Sequence, residues 1–482
     1  MKNIFFKERK YIVCFFLFYL FIYGMIVFSS FLNNDDVART FTGYYSWFYD
    51  GRTISDFLIK IFIGSNGVIN VGPLFKILAL VCMSLSSVVL LKVYNMPRNF
   101  FGMLFISIGY SFPSILENLS HIYDSFPMMF SVFCSTLALY FIAQKNKLSW
   151  LLCIVFILLG LNSYQVSANV FLVLLFCLLI VKIIAKENEK YFLLKGGVCL
   201  FISLLFYKIL VAKYYVFNEY SSSKSGSLGI SDLYLLKSNL YEFYRLMGSF
   251  CFYRQEFLFS TVSIFVLPCF SVLISKMSFF SKVKIYIYYF LSFLSIAGVL
   301  MLLKYPVIAP RTLLAVGIFF SCSLIILSKS ASYKLDYIAV VPSGLIMICI
   351  LSLSYALGSY TNNIQNDMRV TYPKIASLLN KNTSKGDIVY IIGEPYLPQS
   401  IISNSKLNKV IRKIVHQPMI WGNIWGHTAM IQYGFNDKAT YSLNHSYSDV
   451  MPRLEKLYPE ECYPDLKLKI YRENRSVYFV FE

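Results

Sequence analysis

The residues best suited to chemistry lie in one short segment near the N-terminus, which reads NNDDVARTFTGYYSWFYDGR from position 33 to position 52. Asp35 and Asp36 are adjacent, and a carboxylate can act as a general base towards a hydroxyl group. Arg39 follows Asp36 by about one helical turn, and Arg52 closes the segment. Because a guanidinium binds a phosphate through paired, charge-assisted hydrogen bonds, the segment predicts a site that deprotonates a hydroxyl beside a phosphate. Asp36 is the preferred base because it shares a helical face with Arg39.

A dense aromatic group lies between these charges, and it includes Tyr44, Tyr45 and Trp47. Aromatic faces can cover the apolar faces of sugar rings, although packing is their usual role. The segment also has a purely structural interpretation, in which Asp35 caps the next helix and Asp36 pairs with Arg39 on a wet surface. Both interpretations remain open from the residues alone.

Three polar residues at the ends of later apolar runs could complete such a site. Tyr164 and Gln165 could bond a sugar hydroxyl, but helix capping or a bond between helices explains them equally well. Arg311 stands at the start of an apolar run, where it could bind a phosphate or simply extend its side chain to the membrane surface.

Two groups of acidic residues carry other, weaker signals. Glu117, His121 and Asp124 lie between two apolar runs and could shape an acceptor site, but an ordinary solvent-exposed loop is the preferred interpretation. The adjacent Asp35 and Asp36 could bind Mg²⁺ or Mn²⁺ beside a lipid phosphate. No third ligand is evident near them in the sequence, so no metal is assigned.

The composition shows what must position these residues. Of 482 residues, 57% are hydrophobic and only 14% are charged, whereas a soluble domain carries about 25% charged residues. The mean hydropathy is +0.60. The 11 cysteines are scattered singly, without a CxxC pair or zinc-ligand spacing. These values exclude a soluble enzyme, a disordered chain and a disulfide scaffold, and they predict a polytopic α-helical membrane protein.

Apolar runs of membrane-spanning character predict about eleven transmembrane helices. The first follows a basic N-terminus and is too long for the core of a signal peptide, so it is expected to remain uncleaved. The runs cover residues 11–32, 71–91, 100–116, 126–143, 148–161, 168–184, 192–209, 257–275, 285–303, 313–327 and 335–357.

The basic residues predict the orientation of these helices. With the N-terminus in the cytoplasm, every short loop on that side carries lysine or arginine. Topology therefore explains the net charge of +19 better than nucleic-acid binding, and no nucleic acid is expected as a partner. The predicted cytoplasmic loops are short and hold no nucleotide-binding motif. Chemistry on the outer face thus needs a substrate that reaches the outer leaflet, and a lipid-linked substrate meets that need.

An odd number of spans places residues 358–482 on the outer face, where their polar composition predicts a small α/β domain. A strand is expected at 387–392, a terminal hairpin from 466–471 and 476–481, and a short helix within 448–458. Trp421, Trp425 and His427 could stack on a saccharide, although packing is the preferred interpretation. Residues 1–357 then form the transmembrane domain, with the first outer loop at 33–70.

These features together resemble a known family. The basic N-terminal helix, the DD-x-x-R…GYYSWFYDGR loop, the eleven or so spans and the outer C-terminal domain look like the phage- and prophage-type O-antigen glucosyltransferases, which convert bacterial serotype. NSYQ at 162–165 and APR at 309–311 add weaker support. The family is similar in architecture to the GT-C-like class of lipid-linked-sugar glycosyltransferases. In that class an acidic residue of the first outer loop is catalytic, and Asp35 or Asp36 occupies the matching place.

The resemblance implies a reaction and its partners. The donor is undecaprenyl-phosphate glucose, made by a separate transferase and moved across the membrane by a separate flippase, and the acceptor is a lipid-linked O-antigen sugar of lipopolysaccharide. It implies a multi-pass protein of the bacterial inner membrane, with a cytoplasmic N-terminus and a periplasmic C-terminus. Transfer is expected to invert the anomeric centre, with Asp36 as base and Arg39, Arg52 or Arg311 stabilising the leaving phosphate. Glucose itself is implied by the resemblance alone. A flippase or transporter of a lipid-linked saccharide, or an O-antigen polymerase, is the alternative.

Overall fold

The computed structural model describes residues 8–64, 67–216, 226, 228–229, 232–330, 333–393, 406–415, 430–431, 433–435, 440–441, 447–454 and 456–481. Helices dominate it. Up to position 330 they are α1 Arg9–Val27, α2 Asn34–Thr42, α3 Thr53–Ile63, α4 Leu74–Val93, α5 Phe100–Ser107, α6 Ile115–Ser120, α7 Ser125–Ile142, α8 Leu148–Ser163, α9 Ser167–Ile184, α10 Glu189–Phe206, α11 Leu233–Cys251, α12 Gln255–Ile274, α13 Phe279–Leu294 and α14 Leu314–Ser330. The later helices are α15 Tyr333–Asn382, α16 Lys406–Ile414 and α17 Tyr447–Leu454.

Within these described residues, seven helical stretches are long and apolar enough to cross a membrane. They are Arg9–Val27, Leu74–Val93, Ser125–Ile142, Ser167–Ile184, Glu189–Ala212, Gln255–Ile274 and Leu335–Asn382. Other predicted runs form shorter helices; α5 has 8 residues, α8 and α13 have 16 each, and α14 has 17. A full crossing needs about 20 residues. The chain is therefore a largely helical protein compatible with a membrane, whereas eleven spans and a GT-C-like fold stay predictions.

The segment that follows α5 is pressed against α14. A Cβ atom at Gly317 would lie 2.4 Å from the carbonyl oxygen of Gly109, so only glycine permits this approach of the two backbones. The Asn118 side chain donates to the carbonyl of Arg311 over 3.2 Å. These contacts fix residues 108–124, called here the 108–124 segment, beside the start of α14.

Helix α15 joins the apolar bundle to the C-terminal part of the chain without a break. It has 50 residues and is therefore about 75 Å long. The boundary expected between positions 357 and 358 falls inside it. Beyond that point Tyr360, Ile364, Met368 and Tyr372 are buried at intervals of four, which makes one apolar stripe along the helix. The Tyr372 ring packs edge-on against Tyr433, with 5.2 Å between the ring centroids.

A small mixed sheet follows α15. Its strands are β1 Ile388–Ile392, β2 Thr440–Tyr441, β3 Glu461–Tyr463, β4 Leu468–Glu473 and β5 Ser476–Phe481. The order across the sheet is β2-β1-β5-β4-β3, with β1 parallel to both neighbours and β4 antiparallel to both of its own. The predicted strand, terminal hairpin and short helix are thus confirmed as β1, the β4–β5 pair and α17.

Candidate active site

The chain between α1 and α4 folds back on itself through α2, a short helical turn at Trp47–Asp50 and α3, and we call it the 33–70 segment. Asp35 and Asp36 lie in the first turn of α2, where the partial positive charge of a helix N-terminus favours carboxylates. Gly43 ends α2 in a left-handed conformation, with a φ of 69°. Gly51 also has a left-handed conformation, with a φ of 70°, which favours glycine, and a Cβ there would displace the Tyr207 hydroxyl 2.7 Å away.

The 108–124 segment packs directly beneath α2, and this corrects one expectation. Glu117, His121 and Asp124 are 1%, 4% and 3% exposed, so they do not form the solvent-exposed loop that was preferred from the sequence. Several hydrogen bonds join the two segments, among them three that do not involve Asp124. These run from Asn33 to Ser120 over 2.7 Å, between Thr40 and Tyr123 over 3.0 Å, and from the Ile122 amide to Asp36 over 2.9 Å.

Asp36 lies at the centre of this junction and is fully buried. Its Oδ2 accepts the Ile122 amide and lies 3.8 Å from Nδ1 of His121, while its Oδ1 has no hydrogen-bond partner within the described residues. Burial raises the pKa of the Asp36 carboxyl, an effect that His121 and Ile122 partly offset. The structural alternative of a wet Asp36–Arg39 surface pair is wrong, because both residues are buried and Arg39 pairs elsewhere. Asp35 is only partly buried.

Asp124 brings together two of the residues predicted to bind phosphate. Arg39 Nη1 lies 2.7 Å from Asp124 Oδ2, and Arg52 Nη1 lies 3.5 Å from Oδ1. Trp47 Nε1 donates to the same Oδ1 over 2.7 Å. Burial alone would raise the pKa of Asp124, but the two guanidinium groups outweigh it and hold that pKa well below its usual range. Sequence reasoning missed this role, because Asp124 is 85 positions from Arg39.

Arg311 reaches the same region from the short helical turn before α14. Its backbone amide donates to Glu117 Oε2 over 2.5 Å, and its Nη1 lies 3.6 Å from Oε1 of that carboxylate. The same Nη1 is 3.4 Å from His121 Nε2. His121 thus stands between Arg311 and Asp36. The carboxylates of Glu117 and Asp36 raise the pKa of His121, although burial by itself acts in the opposite direction.

The residues predicted to contact sugar fall into different environments. Tyr164 is buried and donates to the Arg311 carbonyl over 3.3 Å. Gln165 donates to the Asp50 carbonyl over 3.1 Å, so both residues tie α8 to the site in the bonding role that was their alternative. Trp47 is fully buried, and the central carbon of the Arg39 guanidinium lies over its ring, 4.1 Å from the ring centroid. This is the packing role that was its alternative.

Tyr44 and Tyr45 are the more accessible aromatic side chains among the predicted sugar contacts. Tyr44 is 37% exposed, and Tyr45 is half-buried and donates to the Gly67 carbonyl over 3.3 Å. Three other predicted sugar contacts, Trp421, Trp425 and His427, lie outside the described residues. Across the part of the chain that the structure describes, no three His, Cys, Asp or Glu side chains cluster as metal ligands. A divalent cation at Asp35 and Asp36 remains a prediction.

One buried cation near the site escaped the sequence analysis. Lys76, in the first turn of α4, donates from Nζ to the carbonyls of Ile26 and Ser29 over 3.0 and 2.9 Å. It lines a small pocket, with room for little more than a water molecule, together with Ser120 and Thr361. Its signal was a lone lysine at the start of an otherwise apolar run, where a charge is costly and therefore informative.

Comparisons with known proteins cover the chain segments that form this site. A family model described as "Glucosyl transferase GtrII" matches residues 24–327, a range that holds every site residue from Asn33 to Arg311. A relative from Salmonella phage P22, described as an uncharacterized 55.3 kDa protein in the gtrB 5′ region, is 22% identical over 418 residues. That alignment covers 81% of this chain and 84% of the relative. No solved structure matches the chain significantly.

Proposed function

Since the chain belongs to the GtrII glucosyl transferase family, we propose that it transfers glucose from undecaprenyl-phosphate glucose to an O-antigen sugar. The transfer takes place on the periplasmic face of the bacterial inner membrane, where a lipid-linked donor is accessible. The observation that carries the proposal is the junction of the 33–70 and 108–124 segments. There the buried Asp36 carboxylate, which has one oxygen without a hydrogen-bond partner among the described residues, stands on the same short helix as the phosphate-binding candidate Arg39.

The reaction follows from the chemistry of these groups. The acceptor hydroxyl attacks C1 of glucose as its proton passes to Asp36, and the bond from C1 to the phosphate oxygen breaks with inversion. The electron pair of that bond stays on the lipid phosphate. Arg39, Arg52 and Arg311 provide fixed positive charge where the negative charge grows. Because Asp36 is fully buried, neighbouring side chains must move aside to admit the acceptor.

Purified full-length protein in proteoliposomes tests this function directly. Polyprenyl-phosphate glucose labelled in the sugar should transfer its glucose to an O-antigen saccharide, whereas UDP-glucose should not serve as donor. In cells, O-antigen from one host with and without the gene should differ by a side-branch glucose. A change in chain length or export without added glucose would instead favour a polymerase or a flippase. A reporter fused after Glu482 that is active only in the cytoplasm would contradict the periplasmic C-terminus.

The pH dependence of transfer should report the contact between Asp36 and His121. Asp36 accepts a proton only when ionised, so kcat/KM should fall as the pH drops through its raised pKa. His121 favours the ionised form of Asp36 when His121 carries a positive charge. Its other charged neighbours are Glu117, Arg311 and Asp124. His121→Gln removes that charge, so the acid limb of the profile should move to higher pH.

The measurement is kcat/KM against pH for the purified parent and variant. Lys190→Gln, which removes an exposed cation on α10, should leave the acid limb where it is. An acid limb in His121→Gln that coincides with the parent, or lies at lower pH, would show that His121 does not act on Asp36.

A further inference from the structure

Asp124, the residue that precedes α7, contacts three side chains of the 33–70 segment at once. Both of its carboxylate oxygens are used: Oδ2 by Arg39, and Oδ1 by Trp47 and Arg52. The Arg39 and Asp124 side chains are only 6% and 5% exposed. A buried carboxylate with this many charged and polar partners has a narrowly defined position.

The same contacts orient both arginines. The guanidinium of Arg39 lies over the Trp47 ring, and that of Arg52 lies over the ring of Tyr164 at 5.0 Å from its centroid. The Nε atoms of both arginines are buried and have no hydrogen-bond partner within the described residues. Arg39 also donates from Nη2 to the Ser46 hydroxyl over 3.4 Å. Each guanidinium is thus held through its terminal nitrogens and its face, and its Nε keeps a donor that no described residue uses. Unused buried donors of this kind indicate a missing acceptor.

We propose that Asp124 is the positioning residue of the donor site, where it holds Arg39, Arg52 and Trp47 as one preassembled phosphate clamp. The acceptor missing from the clamp is the phosphate oxygen of the lipid-linked donor, and this identification rests on the proposed function. The site is then shared by two segments that are far apart in the chain. Two arginines and one aspartate leave one net positive charge, which matches the single negative charge of a phosphodiester.

Asp124 could instead only neutralise buried arginines and so stabilise the fold. The two roles differ in what a variant changes. A positioning role acts on the donor through the arginines, so Asp124→Asn, which keeps the shape but removes the charge, should affect donor binding more than acceptor binding. Small displacements of a positioned group can lower rates by about a hundredfold. A stabilising role would lower the amount of folded protein and leave the kinetic constants of the folded fraction unchanged.

The first test is a double-variant cycle with purified full-length protein. Asp124→Asn should raise the KM for polyprenyl-phosphate glucose about tenfold or more, and Asp124→Glu should recover part of the loss. Combining Asp124→Asn with Arg39→Lys should cost little more than either change alone, because both disturb one unit. Asp56→Asn, which removes a buried carboxylate paired with Lys60 on α3, is the matched control and should keep the parental donor KM. Losses that multiply in the double variant would overturn the proposal.

The second test does not depend on transfer. The fluorescence of Trp47, isolated by subtracting the spectrum of Trp47→Phe, should change when a short-chain polyprenyl phosphate binds, because the indole stacks on Arg39 and bonds Asp124. Asp124→Asn should weaken that binding and make Trp47 easier to quench with acrylamide. Unchanged quenching and binding in Asp124→Asn would overturn the clamp. A clamp that binds the lipid phosphate in a protein that transfers no glucose would contradict the proposed function instead.

Discussion

Replacing Asp36 with Asn should abolish glucosyl transfer while the protein still folds and inserts into the membrane. Asn has the shape of Asp and keeps an oxygen that can accept the Ile122 amide, so the junction of the two segments should survive. It cannot accept the proton of the acceptor hydroxyl at neutral pH. Loss of a positioned general base lowers rates by about 10²–10⁴-fold. The measurement is transfer of labelled glucose from polyprenyl-phosphate glucose by purified protein, with thermal unfolding in detergent as the check on folding.

Asp35→Asn is the matched control for this change. Asp35 is adjacent in sequence, but its side chain is only partly buried and the Ile122 amide bonds Asp36 instead. We expect transfer by Asp35→Asn to stay within a few-fold of the parent. Inactive Asp35→Asn with active Asp36→Asn would assign the base to Asp35, and full activity in both would remove the 33–70 segment from proton transfer.

Replacing Arg311 with Met should have the second-largest effect, mainly on kcat. The change removes a cation from the site and also leaves the buried Glu117 carboxylate without the guanidinium that lies 3.6 Å from it. Removing one preorganised group that stabilises transition-state charge costs about 10²–10³-fold in kcat. Arg311→Lys should restore part of this loss, since it returns the charge but not the planar group that faces Glu117 and His121 together. Single-turnover transfer at saturating donor measures the chemical step.

Arg254→Met provides the comparison for Arg311. Arg254 also precedes a helix and also lies close to a glutamate, with 3.4 Å to Glu256, but the pair is exposed at the protein surface. Surface pairs of this kind contribute little, so transfer and stability should both be close to parental values. If Arg311→Met only lowers thermal stability and folded protein transfers glucose at the parental rate, Arg311 has a structural role alone.

Much of the fold follows from local patterns in the sequence. Apolar runs of sufficient length form helices. The strand at 387–392 and the terminal hairpin could be predicted because the alternation of apolar and polar residues and the turn residues act over a few positions. The number of membrane spans cannot be predicted from local patterns in the same way. The run that begins at position 100 leaves the α-helix after Ser107, where Gly109 meets the backbone of Gly317. A contact between residues so distant in the chain leaves no periodic pattern to find.

In the site, too, the sequence reveals which residue types are unusual but not which residues they contact. Asp36, Arg39, Arg52 and Arg311 stood out in the sequence because carboxylates and guanidinium groups near apolar runs are costly and specific in what they bind, and their roles stay predictions. The contacts of Asp124 were not predicted, since they are decided by how the 108–124 segment packs under α2. The same packing buried Glu117 and His121, which had been assigned to solvent.

The unbroken helix α15 makes the height and the direction of the C-terminal sheet depend on one count of residues. Each residue of an α-helix advances the axis by about 1.5 Å and turns it by about 100°. One residue inserted after Tyr360 would therefore rotate the sheet by about 100° about the helix axis, to another side of the bundle. Seven residues would move it about 10 Å along the axis and restore its orientation to within about 20°. Relatives whose version of α15 is longer or shorter are thus expected to differ from it by whole helical turns, because only such changes keep the sheet on the same side of the bundle.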